Sequence, residues 1–212
     1  MNPLIRNAGK TLLQQVYSPQ RFLWRLPANQ CSVALTFDDG PHPVHTPALL
    51  DLLLRHDIRA TFFMIGEKVA QQPDIVRRIA AEGHAMGGHT WRHREIVGLS
   101  VADLKEELAA CRSIIREVSG VDTEMFRPPR GRVDFRAIRR IAALEYRLVH
   151  WTKTYSDYKR DGSARLTERF REDPPVSRDI VLLHDQEDTV AALAGIIPEW
   201  LAAGSKFSAI TS

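Results

Sequence analysis

The sequence has little cysteine and no long hydrophobic run. Its two cysteines, Cys31 and Cys111, match no disulfide framework and no metal-ligand spacing, so we expect two reduced and buried thiols. No segment approaches the ~18 consecutive apolar residues that a membrane-spanning helix requires. Residues 1–26 also lack the continuous apolar stretch of a secretory signal. These absences predict a cytoplasmic protein without a transmembrane segment.

The sequence also lacks a strong excess of one charge. It carries 29 basic and 26 acidic side chains, a formal net charge of +3, and its arginine clusters are interleaved with acidic and apolar residues. We therefore predict no nucleic-acid partner. With 212 residues, of which 44% are hydrophobic, the chain can bury a core large enough to fold without a structural metal. Any metal ion would then serve the chemistry of a site.

The N-terminal segment carries a weak amphipathic pattern. Its apolar positions, which basic residues interrupt, are Leu4, Ile5, Leu12, Leu13 and Val16. Such a segment can form a short helix that packs on the domain or rests on a membrane surface. We predict residues 1–30 to be a helical extension packed on a domain that covers residues 31–212, with peripheral membrane association as the alternative.

Short apolar runs alternate along the chain with segments of helical period. The runs that predict buried strands span residues 32–37, 60–65, 146–151 and 180–184, with a weaker candidate at 207–210. Amphipathic helices are predicted for residues 46–56, 73–82, 101–118, 135–144 and 189–203, and Ser100 with Asp103 resembles a capping box. This alternation predicts an α/β protein with a mainly parallel sheet. We favour a single-domain distorted (β/α) barrel of fewer than eight units over an open doubly wound sheet.

Two adjacent carboxylates follow the first of these predicted strands. Asp38 and Asp39 stand at its carboxyl end, before the turn residues Gly40 and Pro41. Active sites of β/α folds lie at the carboxyl ends of the strands. Because adjacent side chains point in different directions, one acid can bind a metal while the other moves protons. The alternative is a pair of turn or helix-capping residues.

Two histidines four residues apart form the second candidate feature. His89 and His93 would lie on one face of a helical turn, within reach of one ion. With a carboxylate such as Asp39 they would form a shell of two histidines and one carboxylate, which leaves positions open for water and substrate. The spacing alone is common among surface histidines, which is the alternative.

Two further segments combine rigid or apolar backbone with polar side chains. In residues 127–131 two prolines hold the backbone extended, so the amide that follows has a fixed direction and can serve an oxyanion. A rigid strand exit is the alternative. His184 ends the apolar run 180–184 and is followed by Asp185. Its position at the end of a strand favours a functional histidine as much as a core histidine with satisfied hydrogen bonds.

Taken in order, these motifs resemble those of the polysaccharide deacetylase family, the NodB-homology domain of carbohydrate esterase family 4. The resemblance covers residues 33–210. Four family motifs are similar to residues 36–40 (TFDDG), 89–93 (HTWRH), 127–131 (RPPRG) and 182–185 (LLHD). A further motif is matched in degraded form by residues 151–158 (WTKTYSDY), where Asp157 and Tyr158 fill the place of an aspartate followed by an aromatic residue.

The resemblance implies the central chemistry of a metal-dependent hydrolase. The residues that would hold a divalent metal ion are Asp39, His89 and His93; the ion is usually zinc in such enzymes, with cobalt, nickel or manganese as alternatives. Asp38 would be the general base, and His184 would be the general acid that protonates the departing amine.

Three further residues take supporting roles by the same resemblance. Asp157 would keep His184 charged, and Arg127 would pair with the base carboxylate. The backbone N–H of Arg130 would face the oxyanion. The family commonly has tyrosine where Arg130 stands. A guanidinium there, with Arg92 and Arg132 near it in sequence, would favour an anionic or lipid-linked sugar substrate.

Two tryptophans are candidates for contact with a sugar ring. Trp91 and Trp151 could supply a stacking wall, with a core position as the alternative for each. The resemblance implies removal of N-acetyl groups, with O-acetyl or formyl groups as variants, from a carbohydrate. The alternatives are a catalytically inactive carbohydrate-binding module and a metal hydrolase of a non-sugar amide. Neither the sugar nor the oligomeric state follows from the sequence.

Overall fold

The computed structural model describes Ser18 and residues 20–211 of the chain. The amphipathic segment predicted at residues 4–16 therefore lies outside the described residues. Among the helices of the described part, none is both long enough and apolar enough to cross a bilayer.

One parallel sheet of eight strands organises the described residues. The strands are β1 (Phe22–Leu23), β2 (Ala34–Gly40), β3 (Thr61–Met64), β4 (Ala85–Gly88), β5 (Met125–Phe126), β6 (Arg147–Val149), β7 (Lys153–Thr154) and β8 (Ile180–His184). Their spatial order is β1-β6-β5-β4-β3-β2-β8-β7, and every neighbouring pair is parallel. The sheet curls into a half-barrel whose edge strands, β1 and β7, do not pair with each other within residues 20–211.

Helices connect most of these strands. They are α1 (His45–Arg55), α2 (Gly66–Gln71), α3 (Pro73–Ala81), α4 (Val101–Ser119), α5 (Phe135–Ala143), α6 (Ser163–Glu172) and α7 (Glu187–Ala202). The predicted start of α4 is confirmed, because the Ser100 hydroxyl accepts a hydrogen bond from the Asp103 N–H at 3.1 Å. The helix ends at Gly120, whose φ of 75° is the left-handed conformation that glycine adopts without strain.

The predicted fold class is confirmed. Within the described residues six of the eight strands lead into an α-helix, which makes a distorted (β/α) barrel of fewer than eight units. The four stronger strand predictions correspond to β2, β3, β6 and β8. The short strands β4, β5 and β7 carry the sequences AMGG, MF and KT, too short or too polar to predict. The weaker candidate at 207–210 is reduced to one bridge, between Val33 and Phe207.

The boundary predicted at residue 30 does not separate an extension from the barrel. Strand β1 pairs with β6, so that Phe22 lies opposite Leu148 and Leu23 opposite Val149. Both β1 side chains are buried. Residues 20–30 are therefore part of the barrel, because the apolar side chains of β1 complete the core at one edge of the sheet.

The side chains of the central strands alternate between two apolar clusters. Leu35 and Phe37 of β2 belong to the large cluster between the sheet and the helices, where Phe37 stacks on Phe62 with ring centroids 5.4 Å apart. Ala34 belongs to a second cluster on the other face of the sheet.

Of the two thiols expected to be buried, Cys111 is buried, but Cys31 is exposed. It lies in the loop before β2 and not on a strand face.

His84 is a buried histidine at the amino end of β4. Its Nδ1 accepts a hydrogen bond from the Ala60 N–H at 3.1 Å, so Nδ1 carries no proton in the folded state. Burial lowers the pKa of His84 to about 4, although the nearby charge of Glu82 opposes this shift. The folded chain therefore holds a neutral imidazole at pH values where the unfolded chain is protonated.

We expect this histidine to make the fold sensitive to acid. A depressed pKa in the folded state contributes stability that is complete above the unfolded pKa of about 6.5 and is lost as the pH falls towards about 4. In His84→Asn, whose side-chain oxygen can still accept from Ala60, the loss of unfolding free energy between about pH 7 and about pH 4.5 should be smaller by about 1–3 kcal/mol. Urea denaturation at both pH values measures this difference. His56→Asn, at a half-buried histidine after α1, is the control, and equal acid losses in His84→Asn and the wild type would contradict the assignment.

Candidate active site

A pocket of about 520 Å³ lies at the carboxyl ends of the strands. It is lined by Asp38, Asp39, His89, His93, Arg130, Gly131, Trp151, Thr154, Tyr158, Leu182 and His184. Arg127 and Asp157 are buried and contact residues that line the pocket. Of the site residues predicted from the sequence, only Trp91 lies elsewhere.

A bulge at the end of β2 lets two adjacent carboxylates line the same pocket. Along a regular strand, neighbouring side chains alternate between the two faces of the sheet. Here the register with β3 shifts between Asp38 and Gly40, and Asp39 has a left-handed φ of 71°. The Lys68 ammonium donates a hydrogen bond to the backbone carbonyl of Asp39 at 2.6 Å, which holds this residue in place.

The two histidines are carried by a loop, and the prediction of a helical turn at residues 89–93 is wrong. Residues 89–96 form no helix, and Thr90 and His93 have left-handed φ angles of 64° and 56°. These two conformations turn the chain so that the imidazole rings of His89 and His93 lie with centroids 5.1 Å apart. Left-handed residues other than glycine are uncommon and concentrate at functional sites.

Asp39, His89 and His93 present three donor atoms to one point. Their ligating atoms lie within 4.8 Å of one another, and Asp39 Oδ1 is 3.4 Å from His89 Nε2 and 3.2 Å from His93 Nε2. Burial would raise the pKa of Asp39, but positive charge on the two imidazoles, while they hold their protons, outweighs it and lowers the pKa far below the usual range; a metal cation that replaces those protons would act in the same direction. The carboxylate is therefore ionised, as a metal ligand must be.

The surroundings of these atoms fit a divalent metal ion. His89 Nδ1 lies 2.7 Å from the carbonyl oxygen of Arg127, to which it donates, so that Nε2 is left with its lone pair towards Asp39. Asp39 Oδ1 is buried and accepts no hydrogen bond from the described residues. A buried carboxylate oxygen without a donor is costly unless a cation lies next to it. Two imidazole nitrogens and one carboxylate oxygen form a donor set that suits zinc, with positions left over for other ligands.

Asp38, which lines the pocket, forms a buried ion pair with Arg127 behind it. Arg127 Nη1 donates to Asp38 Oδ1 at 2.7 Å and to the Thr36 hydroxyl at 2.7 Å. Burial lowers the pKa of Arg127, while Asp38 opposes that shift. The contact engages one oxygen of Asp38 and places a fixed positive charge beside the carboxylate.

His184 faces the same pocket from β8 and is oriented by a buried acid. It lies opposite Asp38 in the sheet register. Asp157 accepts hydrogen bonds from His184 Nδ1 at 2.9 Å, from the His184 N–H at 2.7 Å and from the Thr189 hydroxyl at 2.9 Å. Burial alone would lower the pKa of His184, but the hydrogen bond and charge of Asp157, with the charges of Asp38 and Asp39, raise it to about 9. The imidazole is therefore protonated at neutral pH.

The turn after β5 brings Arg130 and Trp151 to the pocket. Arg130 is left-handed, with a φ of 57°, and its N–H donates to no backbone carbonyl of the described residues. The next residue, Gly131, packs so closely on the Trp151 ring that a Cβ atom there would collide with it. The position therefore requires glycine, and it fixes both the turn and the indole.

Trp91 does not line the pocket, in contrast to the sequence prediction. Its ring packs on Gly66 at the start of α2, and its backbone N–H donates to Glu107 Oε2 at 2.8 Å. It lies in a separate cleft beside α4, because the left-handed Thr90 turns the chain before it. The aromatic residue that sequence reasoning missed is Tyr158, which is 59% exposed with its ring centroid 6.3 Å from that of His184. Its signal was its place directly after Asp157.

Comparison with known sequences identifies related proteins along most of the chain. The family profile described as "Polysaccharide deacetylase" matches residues 25–149. A peptidoglycan-N-acetylglucosamine deacetylase of Bacillus cereus is 33% identical over 207 residues, which cover 94% of this chain and 96% of the relative. A chitooligosaccharide deacetylase of a Bradyrhizobium species is 35% identical over 183 residues, which cover 79% of this chain and 83% of the relative.

Solved structures share the fold. The Bc1960 peptidoglycan N-acetylglucosamine deacetylase has a TM-score of 0.83 at 29% identity, covering 89% of this chain and 90% of that chain. BA3943 of Bacillus anthracis, described as a CE4 family pseudoenzyme, has a TM-score of 0.83 at 24% identity, covering 92% of this chain and 69% of that chain. The second match bears on the fold alone. Since the fold is shared by a protein described as a pseudoenzyme, activity must be argued from the residues of the site.

The metal assignment predicts what happens when one ligand is removed. His89→Ala and His93→Ala should each weaken zinc binding on the order of 100-fold or more while the fold persists, because the core does not depend on the ion. Isothermal titration with Zn²⁺ measures the affinity, and circular dichroism checks the fold. His45→Ala, at a half-buried histidine outside the three-residue cluster, should bind zinc as the wild type does. Unchanged affinity in both ligand variants would exclude the assignment.

Proposed function

This chain belongs to the polysaccharide deacetylase family, and we propose that it is a metal-dependent hydrolase that removes the acetyl group from N-acetylglucosamine units of a saccharide. One observation carries the proposal. Asp38 and His184 lie opposite each other in the sheet register and line the same pocket as the three candidate metal ligands. Amide hydrolysis needs a proton acceptor for the attacking water and a proton donor for the departing amine.

The three ligands would hold a divalent ion, and zinc suits their donor set. Such an ion supplies Lewis acidity, which polarises an amide carbonyl and makes a coordinated water more acidic. Asp39 contributes a negative charge at this point, and His89 and His93 contribute neutral nitrogens. The carbonyl of Arg127 fixes the tautomer of His89 that ligation requires.

Asp38 serves as the general base in this proposal. Arg127 engages Oδ1, and Asp38 lines the pocket, so its carboxylate can accept a proton from the attacking water. The guanidinium is buried and held by several acceptors, so it stays in place when the carboxylate gains the proton.

His184 serves as the general acid. It must begin the reaction protonated, and Asp157 keeps it so by raising its pKa to about 9 against the effect of burial. The proton on Nε2 is then given to the departing amine, which would otherwise leave as an unstable anion. Arg130 lines the pocket, and its backbone N–H donates to no backbone carbonyl of the described residues, so it would be available to donate to the oxyanion that forms at the substrate carbonyl.

Two aromatic rings favour a sugar as the substrate. Trp151 and Tyr158 both line the pocket, and pyranose rings pack well on such apolar faces. The relatives are named for peptidoglycan and for chitooligosaccharide, which both contain N-acetylglucosamine.

The cellular compartment is a separate question. The cytoplasmic location expected from the sequence stays a prediction that cell fractionation can test.

Acetate release tests the proposal directly. The zinc-loaded protein is incubated with N-acetylchitotetraose, with peptidoglycan fragments and with simple acetamides, before and after treatment with a chelator. We expect zinc-dependent acetate from the saccharides and not from the acetamides. Acetate from acetamides at an equal rate would indicate a general amide hydrolase. No acetate from any substrate by zinc-loaded protein would indicate an inactive binding module.

Removing the base should separate chemistry from metal binding. Asp38→Asn should bind zinc but lose on the order of 10²- to 10⁴-fold in kcat, the usual contribution of a positioned proton-transfer group. Steady-state kinetics on N-acetylchitotetraose, with zinc content measured on the same sample, makes the comparison. Asp51→Asn, an exposed aspartate on α1, is the control. Turnover near the wild-type rate would remove Asp38 from this role.

The acid predicts a shift in pH dependence. In Asp157→Asn the largest cause that raises the pKa of His184 is gone while Asp38 and Asp39 remain, so this pKa should fall from about 9 part of the way towards its ordinary value of about 6.5. Because the acid must be protonated, the alkaline limb of the kcat profile should move to lower pH by about 1–2 units. Asp161→Asn, an aspartate four residues away that pairs with Arg169, should leave the limb in place. An unmoved alkaline limb in Asp157→Asn would contradict the role of Asp157.

A further inference from the structure

A cluster of three charged side chains stands beside the mouth of the pocket. Arg130 Nη1 donates to Glu95 Oε1 at 2.8 Å, and Arg132 Nη1 donates to Glu95 Oε2 at 2.8 Å. The side chains of Arg130 and Arg132 are 68% and 63% exposed, and that of Glu95 is 30% exposed. Arg130 itself lines the pocket. We call these three residues the rim cluster.

The rim cluster has a net charge of +1. Two guanidiniums share a single carboxylate, and no other carboxylate of the described residues pairs with either. Each guanidinium has five N–H donors and gives one Nη1 contact to Glu95. Several donors therefore remain for a second oxyanion. Glu95 also fixes where the two guanidiniums lie, so part of the entropy cost of binding is already met.

The position of the cluster relates it to the substrate. Arg130 is the residue whose backbone N–H is proposed to face the reacting carbonyl, and Glu95 follows the metal-ligand candidate His93 by two residues. An oxyanion bound to the exposed guanidiniums would thus lie a short distance from the acetyl group, on a neighbouring part of the same molecule. Inside the pocket, the carboxylates of Asp38 and Asp39 already contact Arg127 and the two imidazoles, respectively.

We propose that the rim cluster binds an oxyanion group of the substrate, a carboxylate or a phosphate, next to the sugar that is deacetylated. This inference rests on the proposed function, since it names the substrate class of the same site. It makes this chain selective for anionic saccharides over neutral ones. Guanidinium groups suit both anions, because their planar donors match paired oxygens.

The competing explanation is that Glu95 only ties two loops together. In that case the arginines would support the shape of the rim, and their loss would affect every substrate alike. If the arginines bind an anionic group of the substrate, their loss should lower activity on anionic substrates only. The wild-type preference for these substrates should also weaken as salt increases, since exposed charge pairs are screened. The two explanations therefore differ in the ratio of activities and not in activity itself.

The test uses two pairs of matched saccharides and one neutral reference. One is a tetrasaccharide of alternating N-acetylglucosamine and N-acetylmuramic acid, which carries carboxylates, and its partner is the same molecule with these converted to amides. N-acetylglucosamine 1-phosphate against its methyl glycoside is the phosphate arm, and N-acetylchitotetraose is the neutral reference. The quantity compared is kcat/KM of the anionic member over the neutral member. Isothermal titration gives the corresponding ratio of Kd values.

We expect the wild type to favour at least one anionic member by about 3- to 30-fold, the range between an exposed ion pair and a charge-assisted hydrogen bond. Arg132→Gln, at the arginine of the rim cluster that does not line the pocket, should lower that ratio towards one, mainly through KM. The matched control is Arg165→Gln, an exposed arginine that shares Asp161 with Arg169 away from the pocket. Comparison of the carboxylate pair with the phosphate pair shows which of the two anions the rim cluster binds.

A wild-type ratio near one in both arms overturns the inference, even when N-acetylchitotetraose is deacetylated. Equal losses on anionic and neutral members in Arg132→Gln also overturn it, and they would show that Glu95 only holds the two loops together. If no saccharide yields acetate, the proposed function fails, and the Kd ratio of the wild type still decides the inference. If a variant does not fold, the wild-type protein still tests the inference. Its preference for anionic members should decline as ionic strength rises, and a preference that does not change with salt would overturn the inference.

Discussion

The buried guanidinium of Arg127 holds the floor of the site together. Its side chain contacts the Thr36 hydroxyl, Asp38, the carbonyls of Val149 and His150, and the Phe63 ring, 4.1 Å from its centroid. A fully buried charge is costly unless it is paired and hydrogen-bonded, and here the partners come from three regions of the sheet. The backbone carbonyl of the same residue accepts from His89. One residue therefore positions both the candidate base and a candidate metal ligand, so neither can move without disturbing the other.

Three aspartates near the pocket have different surroundings, which suit their carboxylates to different candidate roles. Asp38 faces a fixed guanidinium, Asp39 lies between two imidazoles, and Asp157 is buried behind His184 with a hydroxyl on its second oxygen. The same carboxyl group can thus be a proton acceptor, a ligand or an orienting anion. The separation depends on the bulge at Asp39, because a regular strand would turn one of the two adjacent acids away from the pocket.

The sequence predicts the residues of this site better than it predicts their local backbone. Strands such as β2 and β8 are long and apolar, so their ends, and with them Asp38 and His184, could be located from the pattern alone. The short strands β4 and β5 owe their conformation to neighbours in the sheet and leave no periodic signal. The loop from His89 to His93 has a helical spacing but contains two left-handed residues. Such conformations are set by packing and hydrogen bonds distant in sequence, which also explains why Trp91 turns away from the pocket.

The position of Arg130 shows how chemistry and selectivity can be separated within one residue. Its backbone N–H is fixed by the prolines before it and by the glycine after it, whose hydrogen atom alone leaves room for Trp151. The direction of this N–H, and with it the proposed oxyanion contact, therefore does not depend on the side chain at this position. The guanidinium lies in solvent, where its net effect depends on Glu95 and Arg132. Because that environment is set by loops outside the barrel, the charge at the rim can change while the candidate acid, base and metal ligands stay in place.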